Sequence, residues 1–421
     1  MRTSQPAAFS RLKLVAAGAL VLMVGGCSGG TGAPGPTPSG NATSTPTAAT
    51  VTPPPPATPQ AGTGSPPAAS TVPPAAATPA EEQLARLSLE QRVGQLFMVA
   101  AKATGAEPGT LEALKSYHAG NVYLSGRSKA GAAATADVVA SLTATVSPET
   151  TGGLPLFVAT DQEGGYVQVL SGPGFSTIPT AVEQAQAGPA KLRANAALWG
   201  KELVSAGINV NLAPVLDTVP SPDFAPSNAP IGRFQREYGY TPAQVSSLGN
   251  AFAQGMQDAG VDPVVKHYPG LGKVVPNTDV SRDVRDTATT RNDPALEPFN
   301  AAIRNGADWV MVSNAYYDKI DPAAIAPFSP VVMESMLRQD AGFTGIILSD
   351  DVCSAAQLEP WTDADRALNF FGAGGTMLVC ADPTSIPAMY GAVLDRAGKD
   401  PAFRARIDAA ALTVIRVKTG Q

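Results

Sequence analysis

Short apolar runs recur along the chain from about Glu81 onward. In order they are VGQLFMVA, GNVYLSG, LPLFVATD, GINVNLAPVLD, VDPVVKHYPG, ADWVMVSNA, TGIILSD and GGTMLVCAD. They are continuous rather than alternating, rich in β-branched or aromatic residues, and mostly followed by polar ones. Strands covered on both faces read this way. Between them lie segments with helical spacing, such as AKLRANAALWGKELVSAG, AQVSSLGNAFAQGMQDAG, ALEPFNAAIRNGA and VVMESMLRQDAG. Alternating strands and helices predict a parallel sheet. Eight units over residues 81–421 fit an α/β fold of the single (β/α)8 TIM-barrel type better than an open doubly wound sheet. No Gly-rich dinucleotide fingerprint is present. At the start, SLEQRVGQ offers Ser88 as an N-cap with Gln91 completing a capping box.

Polar residues gather where the apolar runs end. Asp161 closes LPLFVATD, Asp217 closes LAPVLD, Lys266 and His267 close PVVKH, Asn314 closes VMVSN, and Asp350 and Asp351 close IILSDD. In a barrel these ends form one face, the usual position of an active site. A single strand-end Asp commonly does no more than cap the next helix. Five strands ending this way argue for a site.

The residues before Glu81 follow no such pattern. Arg2, Arg11 and Lys13 flank LVAAGALVLMV, an apolar run too short for an ordinary membrane span. It ends in VGGC, so residues 1–27 read as a lipoprotein signal with Cys27 lipidated. The alternative is a simple secretory signal with Cys27 in the removed part. Residues 28–80 are Pro, Thr, Ala, Gly and Ser, with TPPPPATP at the centre. Such a segment has too little apolar surface to offset chain entropy and is expected to be a disordered linker. At about 3.1 Å per residue its extended limit is on the order of 150 Å. The expected product is an extracytoplasmic head, anchored to the cell membrane by lipid and acting as a monomer.

The chain of 421 residues is 44% hydrophobic with a formal net charge of −6, which gives no reason to expect a nucleic acid partner. It has only two His, and His118 falls on a helix-to-strand connection at the opposite end of the barrel. Neither HExxH nor CxxC spacing occurs, so no metal or other cofactor is expected. No G-x-S-x-G elbow is present. GLGK at residues 270–273 lacks the Gly and the Ser or Thr of a phosphate loop. A carboxylate-rich face with Lys266, His267 and Arg233 nearby suits glycoside chemistry, in which a retaining hydrolase pairs a carboxylate nucleophile with an acid/base about 5–5.5 Å away.

ATDQEGGYVQ, INVNLAPVLD, VKHYPGLG and GIILSDDV, in that order, resemble the family-3 glycoside hydrolases, in particular the single-domain branch of bacterial β-N-acetylglucosaminidases. The resemblance implies a glycan substrate, Asp350 as nucleophile, and Asp161, Arg233, Lys266 and His267 as sugar-binding residues. Asp351, pointing the other way along the strand, is expected to cap the following helix. A family-3 β-glycosidase of other specificity and a non-catalytic glycan-binding lipoprotein remain as alternatives.

Two departures from the family pattern matter. Tyr166 and Val169 stand where relatives carry Arg after DQEGG. Relatives also have an Asp-x-His dyad on the loop after PGLG, whereas this chain has Asn277-Thr278-Asp279. Three readings follow. Asp279 is the acid/base with Asn277 holding it; or Asp283 or Asp286 takes the role; or acid/base assistance is missing. An Asp acid needs its pKa raised by burial or a nearby carboxylate. The loop is expected to be mobile. The remaining cysteines, Cys353 and Cys380, fall at the ends of the seventh and eighth strands. Neighbouring strand ends and an oxidising compartment predict a disulfide rather than two buried thiols.

Overall fold

The computed structural model describes residues 77–421. The signal segment, Cys27 and the linker up to residue 76 lie outside the described residues. The folded part begins slightly before Glu81: Thr78 caps the helix Pro79–Arg86 and forms a capping box with Glu81. Ser88 and Gln91 form the second capping box expected from the sequence, opening the helix Leu89–Gly94.

Each apolar run contributes a core strand. These are β1 (Phe97–Lys102), β2 (Asn121–Ser125), β3 (Phe157–Thr160), β4 (Val210–Asn211), β5 (Val265–Tyr268), β6 (Trp309–Val312), β7 (Ile346–Ser349) and β8 (Leu378–Cys380). A short strand, Asp262–Pro263, precedes β5 with Val264 alone between them. One parallel sheet runs β8-β1-β2-β3-β4 and ends on Asp262–Pro263; a second runs β7-β6-β5. Single parallel bridges, Val215 to Lys266 and Leu348 to Met377, link them at the two margins. Helices lie between successive strands, including Pro189–Ser205 and Pro242–Asp258. Among the described residues no helix is long and apolar enough to cross a membrane.

The strands carry the core on both faces. Phe97, Met98, Val310 and Ile347 are buried. Phe157 of β3 meets Trp309 of β6 edge-on, ring centroids 4.7 Å apart. Because all core strands run parallel, their C-terminal ends emerge on one side.

That side is built up by elements the apolar pattern did not show. Gln162–Gly164 and Val167–Gln168 form a hairpin after β3. Arg285–Thr290 pairs in parallel with Tyr316–Lys319, which pairs antiparallel with Asp321–Ile325. The segment after β5 does not hang free. Asn228 Nδ2 donates to the carbonyls of Leu271 (2.8 Å) and Val274 (2.6 Å). The backbone carbonyls of Thr278 and Asp279 accept from Gln357 and Ala356, and Val284 N donates to Gln357 Oε1. Lys273 pairs with Asp293 at 2.6 Å, and Arg282 pairs with Glu359.

Candidate active site

A cavity of about 240 Å³ opens among the C-terminal strand ends. Asp161 after β3, Lys266 and His267 of β5, and Asp350 and Asp351 after β7 line it, together with Asn277, Thr278 and Asp279 from the loop. The expectation that strand-end polar residues share one face holds for these. A cavity of about 410 Å³ elsewhere includes Glu334, Arg338 and Arg406, but its carboxylate is taken up by Arg406 at 3.2 Å.

The floor is a charge network around Lys266, whose side chain is almost fully buried. Its Nζ lies 2.7 Å from both Asp161 Oδ1 and Glu163 Oε1. Arg236 grips Glu163 with two parallel contacts, Nε to Oε2 at 2.9 Å and Nη2 to Oε1 at 2.7 Å. Burial alone raises the Glu163 carboxyl, but Arg236 and Lys266 outweigh it and hold it down at about 2. Burial works against the Lys266 charge too, yet Asp161 and Glu163 leave its pKa raised.

His267 is held from behind. Its Nδ1 lies 2.7 Å from Oδ2 of the fully buried Asp217. The other Asp217 oxygen accepts from the backbone N–H of Leu271 at 2.7 Å and of His267 at 3.3 Å. With the carboxylate accepting, Nδ1 carries the hydrogen and Nε2 faces Arg236 Nη2 at 3.4 Å.

The two Asp after β7 are differentiated by their contacts. Asp351 accepts three backbone N–H groups, from Cys353 (3.0 Å), Ser354 (3.0 Å) and Ala381 (2.8 Å). It therefore braces the ends of β7 and β8 through a turn, not the start of a helix as expected. Asp350 accepts the Asp351 N–H at 2.8 Å and faces the cavity. Burial raises its carboxyl, His267 pulls it back and Asp279 adds to the rise, leaving it at about 6. Cys353 and Cys380 form the expected disulfide, Cα atoms 5.0 Å apart, beside this brace.

Arg233 is not brought to the cavity. It is exposed on the turn Gly232–Phe234, and Arg236 takes the inward place. Gln235 adopts a left-handed conformation (φ 53°) that reverses the chain between the two. Asn277 contacts the backbone of Asp279, not its carboxylate: its Oδ1 accepts the Asp279 N–H at 3.0 Å. Asp279 is exposed at the mouth. Asp283 is bound to Arg285 at 2.7 Å, and buried Asp286 accepts Ala288 N, Thr289 N and Thr289 Oγ1; neither lines the cavity. His118 Nδ1 donates to Thr150 O at 2.9 Å, away from the site. Glu163 and Arg236 went unassigned in the sequence, although a carboxylate two residues after Asp161 on the same hairpin was a visible signal.

Strand-end carboxylates and a Lys–His pair thus share one open cavity on a parallel α/β fold. Residues 88–417 match the family "Glycosyl hydrolase family 3 N terminal domain", and the chain belongs to that family. It is 34% identical over 240 residues to the beta-hexosaminidase of Hydrogenovibrio crunogenus, a match covering 55% of this chain and 64% of that protein. It is 32% identical over 251 residues to that of Xanthomonas oryzae pv. oryzae, covering 58% and 72%. The solved β-N-acetylhexosaminidase of Beutenbergia cavernae superposes with a TM-score of 0.78 at 52% identity, covering 79% of this chain and 99% of that one. The β-N-acetylglucosaminidase of a Paenibacillus strain gives 0.70 at 27% identity, covering 79% and 63%.

Proposed function

We propose that this glycoside hydrolase is an exo-β-N-acetylglucosaminidase that removes terminal β-linked N-acetylglucosamine from cell-wall-derived glycans with retention. The observation that carries the reading is Asp350, which faces one cavity with Asp161, Lys266 and His267, in a chain so similar to the Beutenbergia β-N-acetylhexosaminidase. Asp161 and His267 Nε2 offer acceptors, and Lys266 a donor, for sugar hydroxyls. The Asp350 carboxylate attacks the anomeric carbon while the glycosidic C–O bond breaks, and the leaving oxygen takes a proton from Asp279. Water then attacks the same carbon, Asp279 takes its proton, and the ester to Asp350 is released. A barrel closed on itself fits this arrangement. The marginal bridges and the Phe157–Trp309 contact between non-neighbouring strands support it. The sequence of residues 1–80 supports a lipid anchor at Cys27 and a tether.

A 2-fluoro or 5-fluoro glycosyl ester trap, followed by peptide mapping, tests the core of this. The label is expected on Asp350, and Asp350→Asn is expected to lose at least about a thousandfold in turnover of an aryl N-acetyl-β-glucosaminide. A label elsewhere, or an active Asn variant, rejects the assignment. The exposure of Asp279 favours a second reading, a glycan-binding lipoprotein with weak turnover. Wall fragments bound by a wild type that cleaves no aryl glycoside would select it.

A further inference from the structure

Tyr166 and Phe234 are large aromatic side chains left open to solvent, 57% and 38% exposed. They touch each other edge to face, ring centroids 6.0 Å apart. Tyr166 precedes Val167, and Phe234 lies between Pro230 and Arg236; all three of these neighbours line the cavity. The aromatic pair therefore stands on the rim of the site.

The rim is rigid. Arg127 clamps the hairpin that carries Tyr166, donating to the carbonyls of Tyr166 (2.6 Å) and Gln168 (2.8 Å). Gly165 donates to Ile178 O at 2.8 Å, and a Cβ on Gly164 would lie 2.3 Å from Pro179 O. The loop of Phe234 is fastened to the loop after β5 by Ala229 N to Val275 O at 3.0 Å. A fixed turn that holds an aromatic ring in water forgoes its burial, and an exposed apolar patch beside a site marks a contact surface.

The cavity size says what would make that contact. At about 240 Å³ it falls below the roughly 300–1,000 Å³ of sites that enclose drug-sized ligands. It has room for one sugar ring, so the next ring of a glycan must lie over the rim. Sugar rings present apolar C–H faces, which suit aromatic surfaces.

We propose that Tyr166 and Phe234 form a leaving-group subsite that stacks the second sugar ring of a β-linked glycan. This rests on the glycan-hydrolysing reading above and specifies the outer half of its substrate. The test is calorimetric binding of an inert thio-linked N-acetylglucosamine disaccharide and of N-acetylglucosamine itself. The wild type is expected to bind the disaccharide about tenfold more tightly than the monosaccharide, a factor typical of one aromatic contact. Tyr166→Ala and Phe234→Ala are expected to remove that advantage and leave monosaccharide binding unchanged, while Tyr166→Phe keeps it. Equal wild-type affinity for the two ligands, no binding of either, or equal weakening of both by the Ala variants overturns the subsite. A wild type that binds the disaccharide better yet cleaves no aryl glycoside keeps the subsite and rejects the hydrolase reading.

Discussion

At the residue scale the site depends on how buried charges are compensated. Glu163 is the hinge of the network, since it touches both Lys266 and Arg236. Its carboxyl is held at about 2 against an ordinary 4.5. A depressed acid contributes stability that is complete above the unfolded pKa and is lost as pH falls toward the folded one. Glu163→Gln is therefore expected to cost roughly 3 kcal/mol at pH 7, because it leaves two buried cations under-compensated. The gap in urea midpoint between variant and wild type should narrow below about pH 4.5. A gap independent of pH would mean that Glu163 acts through packing alone. Asp350 shows the opposite shift, up to about 6, with Asp279 among the groups that raise it. As the proposed nucleophile Asp350 must be ionised to attack, so activity is expected to fall on the acid side near pH 6. Asp279→Asn takes away one of the groups that raise Asp350, which moves that limb to lower pH. An aryl glycoside with a good leaving group, which needs little acid assistance, makes the shift measurable. A limb that stays in place in the variant would show that the two carboxylates are not coupled.

At the element scale, the strands were legible and the connections were not. Continuous apolar runs such as WVMV and IILS are readable because both faces of the strand are covered. The strand RDTATT at Arg285–Thr290 is polar, and pairs only with loop strands, so no periodicity announced it. Arg233 and Arg236 are three residues apart in IGRFQRE, and only the turn and the left-handed Gln235 decide which one points inward. The loop after PGLG was expected to move, yet side chains and backbone of three other loops tie it down. Where β7 and β8 end, the Cys353–Cys380 disulfide closes a separation of 27 residues. A loop of that length corresponds to about 3 to 4 kcal/mol in the chain-entropy account. Cys380→Ser, or reductant on the wild type, is expected to lower stability by about that amount, read as a denaturation midpoint. Because Asp351 accepts from Cys353 N and Ala381 N, the same change should reduce turnover as well. Reductant that leaves the wild-type midpoint unmoved would count against the staple.

At the scale of the whole molecule, a parallel α/β head follows a segment of very different composition. If Cys27 carries the proposed anchor, Cys27→Ser moves the protein from the membrane fraction to the soluble one, with kcat/KM unchanged. Membrane retention of the variant would reject the anchor. What the sequence by itself determined is the class of the fold and the residues available for chemistry. Burial on both faces of a strand imposes an apolar run, and parallel strands place their polar ends together. The tertiary structure decided the roles. It chose Arg236 over Arg233, committed Asp351 to backbone N–H groups, and left Asp350 facing the cavity. It also put Asp217 behind His267 and Glu163 between two cations. Those choices depend on contacts between loops far apart in the chain, and a linear pattern carries no record of which distant side chain will neutralise a buried charge.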